Sequence, residues 1–278
     1  MVTQRHAEKA RSFFSLCASQ ILEIFHIFAT YFKTMSKTST KTIEQFHALI
    51  QARYDLSLVE KRASYVIINE VGARLAESGK VGKTPREDLE LRIKTTRMTK
   101  ANLELREVYD ALKSLSEKSI TIVDGAKTVN TRFISRYEHQ KHLMNIDVVV
   151  PHVMLPYITA FAEHFTAERF AVAMSIGTKH GQRFYEYCLQ YGDNDDNPEH
   201  AFSGYFCFTL QELVHKLKLD NKYRRFAHIK ECVIGAARKE LKTLYDAGRC
   251  AFYFEHDDER SGKAVERLHF YVYRRLDG

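Results

Sequence analysis

Two stretches far apart in the chain carry the same helix-start signature. Ser57-Leu58-Val59-Glu60 and Thr209-Leu210-Gln211-Glu212 each place a hydroxyl residue three positions ahead of a glutamate. This spacing is a capping box: the hydroxyl accepts from the amide three residues on, and the carboxylate reaches back to the cap's own amide. Each box is followed by a second helical pattern and then by a β-hairpin pattern. A chain built this way is constrained to two copies of one small architecture.

In the first copy the apolar stripe Val59, Ala63, Ile67 and Val71 runs at helical spacing towards Glu77 and is stopped by Gly79. Pro85 and its polar neighbours form a loop. A second helix is expected over about 100–116, with Leu105, Val108, Leu112 and Leu115 on one face. Ile120–Val123 is a β run, Asp124-Gly125 signals a tight turn, Phe133 and Ile134 begin a return strand, and 146–150 is a further β run. In the second copy Pro151 and Pro156 bracket a connector, 167–191 reads as one long helix ended by Gly192, and 193–198 is an acidic loop. The box at Thr209 opens a short helix with Leu210, Leu213, Val214 and Leu217 inward, and Leu219-Asp220-Asn221 is the turn. A long helix over 223–245 carries Phe226, Ile229, Val233, Ala237, Leu241 and Leu244 on its core face and ends at Gly248. The β runs 250–254 and 268–273 close the chain around a charged tip, 256–265, that contains Gly262. The predicted fold is α+β and mainly helical: two tandem winged-helix domains over 42–156 and 157–278, after an N-terminal extension, 1–41.

In a helix-turn-helix the second helix enters the major groove, and its first turns face base edges. With the apolar stripe assigned to the core, Lys222, Arg224, Arg225 and His228 stand at the start of that helix. An arginine there can donate two hydrogen bonds to guanine O6 and N7. Arg238, Lys239 and Lys242 lie farther along, against phosphates or solvent. In the wing Asp257, Asp258 and Glu259 repel phosphate, which leaves Arg260, Lys263 and Arg267 as backbone contacts. In the first copy Arg92, Lys94, Arg97 and Lys100 precede a helix that also carries Glu104, Glu107 and Asp110. A supporting phosphate contact or a protein–protein role is expected there.

Net charge is +7 and the pI about 9.0, and between Lys216 and Lys242 nine Lys/Arg stand against three Asp/Glu. That excess favours an anionic partner without identifying it, and a solvated helix face would carry the same residues. The order of capping box, turn, basic helix and hairpin is what favours double-stranded DNA.

Enzyme signatures are missing. Gly82-Lys83-Thr84 looks like the end of a phosphate-binding loop, but the first glycine of that loop would fall on Glu77. Arg267-Leu268-His269-Phe270-Tyr271 has only one His of the His-x-His pair used by nicking enzymes, and Glu138 precedes both His139 and His142. Cys17, Cys188, Cys207, Cys232 and Cys250 include no Cys-x-x-Cys pair, and read as reduced cysteines of a cytoplasmic protein. No catalytic centre, metal or cofactor is expected. Near the N-terminus Arg5, Lys9 and Arg11 precede an apolar stretch, 13–32, interrupted by Gln20, Glu23 and His26. It is too broken for the ~18 apolar residues of a spanning helix, and no clean cleavage site follows. An extension ahead of a natural start at Met35, an amphipathic docking helix and a membrane anchor all stay open, while the two domains are expected to need no membrane.

From about Tyr54 to Arg274 the chain resembles the iteron-type plasmid replication initiators. The first half does so at Leu56–Arg62 (LSLVEKR) and Tyr109–Lys113 (YDALK). The second half is closer, through Phe165-Thr166, Gly181–Tyr187 (GQRFYEY), Leu210–Leu213, Tyr223–Phe226 (YRRF), Ile229-Lys230 and Ala236–Glu240 (AARKE). The resemblance implies a monomer that binds directly repeated origin sites and a homodimer that represses its own gene. It also implies recruitment of the host initiator ATPase and the replicative helicase. Stretch 13–32 has no counterpart in the family pattern, and the looser first half leaves the dimer surface unassigned. A winged-helix transcriptional regulator without a replication role is the alternative; a partner-binding protein with a merely solvated basic helix is the third reading.

Overall fold

The structure is a computed structural model and describes residues 40–77, 86–99, 104–139, 144–195, 197, 199–223 and 225–275. Stretch 13–32, Met35, Gly79, the Gly82–Thr84 run, Pro85, Lys100, His142 and Arg224 lie outside the described residues.

The first half opens with α1 (Thr40–Gln51) and α2 (Leu58–Glu77). The box before α2 is made as its spacing requires: the Glu60 amide donates to Ser57 Oγ at 3.2 Å and the Ser57 amide to Glu60 Oε2 at 2.7 Å. Then come β1 (Leu89–Lys94), α3 (Thr95–Thr99), α4 (Leu105–Glu117), β2 (Ser119–Asp124), β3 (Lys127–Arg132), β4 (Arg136–His139) and β5 (Asn145–Val150). Strands β2 and β3 form the first wing around Gly125, whose φ of +58° favours glycine. A separate antiparallel sheet has the order β1-β5-β4. Helix α5 (Leu155–His164) returns across α1 and α2, where the Phe161 ring meets Phe46 at 5.4 Å and Tyr65 at 6.2 Å.

The second half comprises α6 (Ala167–Ser175), α7 (Lys179–Tyr191), β6 (Gly204–Thr209), α8 (Leu210–Lys216), α9 (Phe226–Ile229), a π-helical turn (Lys230–Gly235), α10 (Ala236–Asp246), β7 (Phe252–Ser261) and β8 (Ala264–Arg274). Its sheet has the order β6-β8-β7. The inward side chains of that sheet are mostly aromatic and pack on α7: Phe184 stacks on Phe254 at 4.7 Å, and Tyr187 lies 5.7 Å from Phe206. The Thr209 box opens α8 as expected, with the Glu212 amide on Thr209 Oγ1 at 3.1 Å. Among the described residues no helix is long and apolar enough to cross a membrane.

Several expectations give way to tertiary structure. The first return strand is β3, and Phe133 and Ile134 are buried just beyond its end. Leu105 is exposed, although the rest of its stripe is inside. The connector after Pro151 becomes α5 within a few residues, with Pro156 in its first turn. The single helix expected over 167–191 is two, because Thr178 caps a new start by accepting from the Gly181 amide at 2.9 Å. Glu240 of α10 holds that break open, taking the Gly177 amide at 2.6 Å and the Thr178 hydroxyl at 2.5 Å. The helix expected from Tyr223 starts at Phe226, and the last hairpin's strands run far into its charged tip. Strands β1 and β6 were not foreseen.

The two halves share a buried ionic cluster. Glu186 of α7 meets Lys61 Nζ at 2.7 Å, Arg183 at 3.2 Å and the hydroxyls of Tyr54 and Tyr65 at 3.1 and 3.0 Å. Burial is the largest influence on Lys61 and pushes its ammonium down to about 8, against the upward pull of Glu186. A lysine whose folded pKa is depressed keeps its proton longer in the unfolded chain. At Lys61 the unfolded state therefore binds more protons between about pH 8 and the ordinary lysine value of about 10.4, and this group's contribution to stability rises over that window. Burial acts with the opposite sign on Cys188, Cys250, Tyr54 and Tyr65: in the unfolded chain the thiols ionise from about pH 8.5 and the phenols from about pH 10, while the folded groups stay protonated, so their contribution falls. The difference in urea midpoint between wild type and Lys61→Met isolates the lysine: wild type is expected to gain on the variant between about pH 7.5 and 9.5, and a difference that stays constant would contradict it.

Candidate nucleic-acid interface

The second helix-turn-helix is α8, a tight turn and α9. Lys218 and Asn221 take left-handed conformations in the turn, with φ of +46° and +62°. Arg225 stands at the N-terminal boundary of α9 in extended backbone and is exposed; His228 is exposed on the first turn, and Lys239 on α10. Lys222 is placed differently from the expectation. It lies in the turn, before the helix, and its Nζ donates to Asp55 Oδ2 at 2.6 Å. Lys179 binds the other oxygen of Asp55 at 3.0 Å, and Arg53 pairs with Asp220 at 3.3 Å. Arg53 is itself fixed by two backbone bonds to Thr121 of the first wing, at 2.8 and 3.1 Å. The first half thus clasps the turn that precedes the recognition helix. Burial alone would raise the Asp55 carboxyl, but the hydrogen bonds from Lys222 and Lys179 outweigh it and hold it below its ordinary value.

The wing of the second half turns at Gly262, with φ of +62°, and exposes Lys263 beside it. Its acids do not simply repel phosphate. Asp258 is turned inward, accepting from Lys230 of the π-helical turn and from Arg260 Nη2 at 2.8 Å. Glu259 meets His269 Nε2 at 3.0 Å, and Glu255 accepts from Arg238 at 2.6 Å. The Lys230–Asp258 and Arg238–Glu255 pairs pin the wing to the recognition helix; Asp257 stays exposed. The hydrogen bond from Lys230 is the main cause that lowers the Asp258 carboxyl. Lys242 pairs with Asp246 at 2.5 Å and lies 4.7 Å from the Tyr253 ring centre. Arg267 is exposed on β8.

The basic group of the first half does not lead into a reading helix. Arg92 and Lys94 belong to β1, where Arg92 donates to both oxygens of Asp147 at 2.7 and 3.2 Å. Arg97 on α3 pairs with Glu70. The structure therefore keeps Arg225, His228 and Lys239 on the recognition helix, to which ion pairs tie the wing, and leaves Arg92 and Lys94 on another sheet and Arg97 on α3. Sequence reasoning missed Lys230, Arg53 and Asp55, whose partners lie far away along the chain.

A core helix, a capped second helix, a recognition helix and a pinned hairpin wing define a winged helix, and the chain carries two in tandem, the architecture of a DNA-binding protein. The chain belongs to the replication initiator proteins: residues 42–189 match the family described as "Initiator Replication protein, WH1", and residues 209–272 match "Initiator Rep protein, WH2". No curated protein matches it. Among solved structures it is similar to the Pi initiator protein in complex with iteron DNA, with a TM-score of 0.50 and 14% identity over 82% of this chain and 99% of that one. It is also matched to domains 2 and 3 of RctB (TM-score 0.45, 10% identity, 81% of this chain and 86% of that one). A third match is the WH1 domain of the replication protein MSBI1.176 (TM-score 0.29, 19% identity, 40% and 86%).

Proposed function

We propose that this protein starts plasmid replication in the cytoplasm by binding directly repeated origin sites, iterons, as a monomer. A homodimer represses its own gene, and the DNA-bound monomer recruits the host initiator ATPase and the replicative helicase. It carries out no chemistry itself and requires no cofactor. The observation that carries this reading is the presence of both initiator domains in tandem, covering 42–189 and 209–272. The second domain reads the bases through Arg224, Arg225 and His228. Lys239, Lys263 and Arg267 bind phosphates, while Lys222, Arg238, Lys242 and Arg260 serve after exchanging their acidic partners. Arg92, Lys94, Arg97 and Lys100 support the first half, against phosphate or against a second copy.

Footprinting across the DNA upstream of the coding gene tests this: a ladder of regularly spaced protections is expected, and one isolated protection would favour a transcriptional regulator. On such a site Arg224→Ala or Arg225→Ala is expected to weaken specific binding by about 1–3 kcal/mol and to spare binding to random duplex. Equal loss on both DNAs would reduce these arginines to phosphate contacts.

A further inference from the structure

The outward face of the recognition helix has an acid at its centre. Ile229, Val233 and Ala237 point into the core, while Ala227, His228 and Glu231 are all exposed. Positions three and four apart share a helix face, so Glu231 sits one turn inward from both Ala227 and His228. The π-helical turn Lys230–Gly235 widens the helix here, burying Val233 and Ile234 together and exposing Glu231 and Cys232 together. Gly235 suits this turn, since a Cβ there would stand 3.0 Å from the Lys230 carbonyl oxygen. Such π-turns recur at functional sites.

Lys230 leans to the wing and Asp258, whereas the Glu231 side chain has no hydrogen bond or ion pair among the described residues. An unpaired carboxylate on a face turned to DNA is repelled by phosphates, unless a base offers it a donor. In the major groove the cytosine N4 amine is that donor. Guanine O6 and thymine O4 are acceptors, and the adenine amine adjoins the N7 acceptor, which repels the second carboxylate oxygen.

We propose that Glu231 is a specificity-determining residue that accepts a hydrogen bond from the N4 amine of a cytosine in the bound site. This rests on the reading that α9 and its π-turn face the major groove.

Selection of sites from a randomised duplex pool, with the full chain and with Glu231→Gln and Glu231→Ala, tests it. The wild-type sites are expected to hold a fixed cytosine that both variants lose, with discrimination at that position falling about 5- to 150-fold and the other positions retained. Glutamine should move the preference towards adenine, which it can bind through N6 and N7. If the variants keep the cytosine and only bind all DNA more tightly, Glu231 is a phosphate-repelling residue and the proposal is overturned. A parallel selection with Arg225→Ala separates the two levels. Unchanged preferences there as well would mean that the helix reads no bases; changed preferences there alone would defeat only the role of Glu231.

Discussion

Glu186→Gln is expected to lower the unfolding temperature by roughly 6–20 °C, because breaking a buried ion pair costs about 3–5 kcal/mol and a chain of this size loses about 2–4 °C per kcal/mol. The Glu186 side chain is 1% exposed, and among the described residues its carboxylate is the one anion that pairs with Lys61 and Arg183. Burial would raise that carboxyl, but Lys61 and Arg183 together hold it below its ordinary value. Glutamine keeps the volume and removes the charge, so two buried cations are left facing each other. Lys61→Met in the Glu186→Gln background removes one of them and should recover part of the loss, a coupling that independent sites would not show. Thermal unfolding followed by circular dichroism reads both outcomes. A Glu186→Gln chain melting within about 2 °C of wild type would mean that water reaches the cluster or that Lys61 is already neutral. The cluster joins α7 to Tyr54, Lys61 and Tyr65, so its loss also frees the first half from the helix on which the second sheet is packed.

What the sequence displays is local. Both capping boxes, the stripes Val59–Val71 and Phe226–Leu244, and the glycine turns at Gly125 and Gly262 depend on neighbours within a few residues, and each is found where the spacing puts it. The features that were missed depend on distant partners. The break before α7 needs Glu240, which lies beyond the whole second turn region. Strand β1 has a legible alternation, Leu91 and Ile93 inward with Glu90, Arg92 and Lys94 outward, but its basic residues read more readily as a nucleic-acid surface. The π-turn leaves no periodic mark, because one extra residue shifts the stripe by less than the tolerance of the pattern. Charge was the least legible property of all. Arg92, Arg97, Lys222 and Arg238 each pair with an acid more than a dozen residues away, so counting cations along the chain treats engaged groups as free ones.

That distinction sets the expected salt dependence. Binding to duplex DNA is expected to fall with salt along a log–log slope of about −6, at about 0.9 per neutralised phosphate. Lys239, Lys263 and Arg267 are exposed and have no ion pair among the described residues, and alone they would give about −2.7. Lys222, Arg238, Lys242 and Arg260 are paired, with Asp55, Glu255, Asp246 and Asp258, but all four side chains are 40% exposed or more. Exposed pairs are worth only about 0–1 kcal/mol, so a phosphate held in place by the recognition helix competes well for each cation. A measured slope near −2.7 would mean that the acids keep their partners, and one shallower than about −1 would leave no extended footprint on the DNA. Asp246→Asn separates the first two cases. Where Lys242 already changes partner on binding, the variant gains affinity and keeps the slope, because the free protein no longer holds the competing pair. Where Lys242 stays with Asp246 in the complex, the variant releases a new cation to the DNA and the slope steepens by about 0.9.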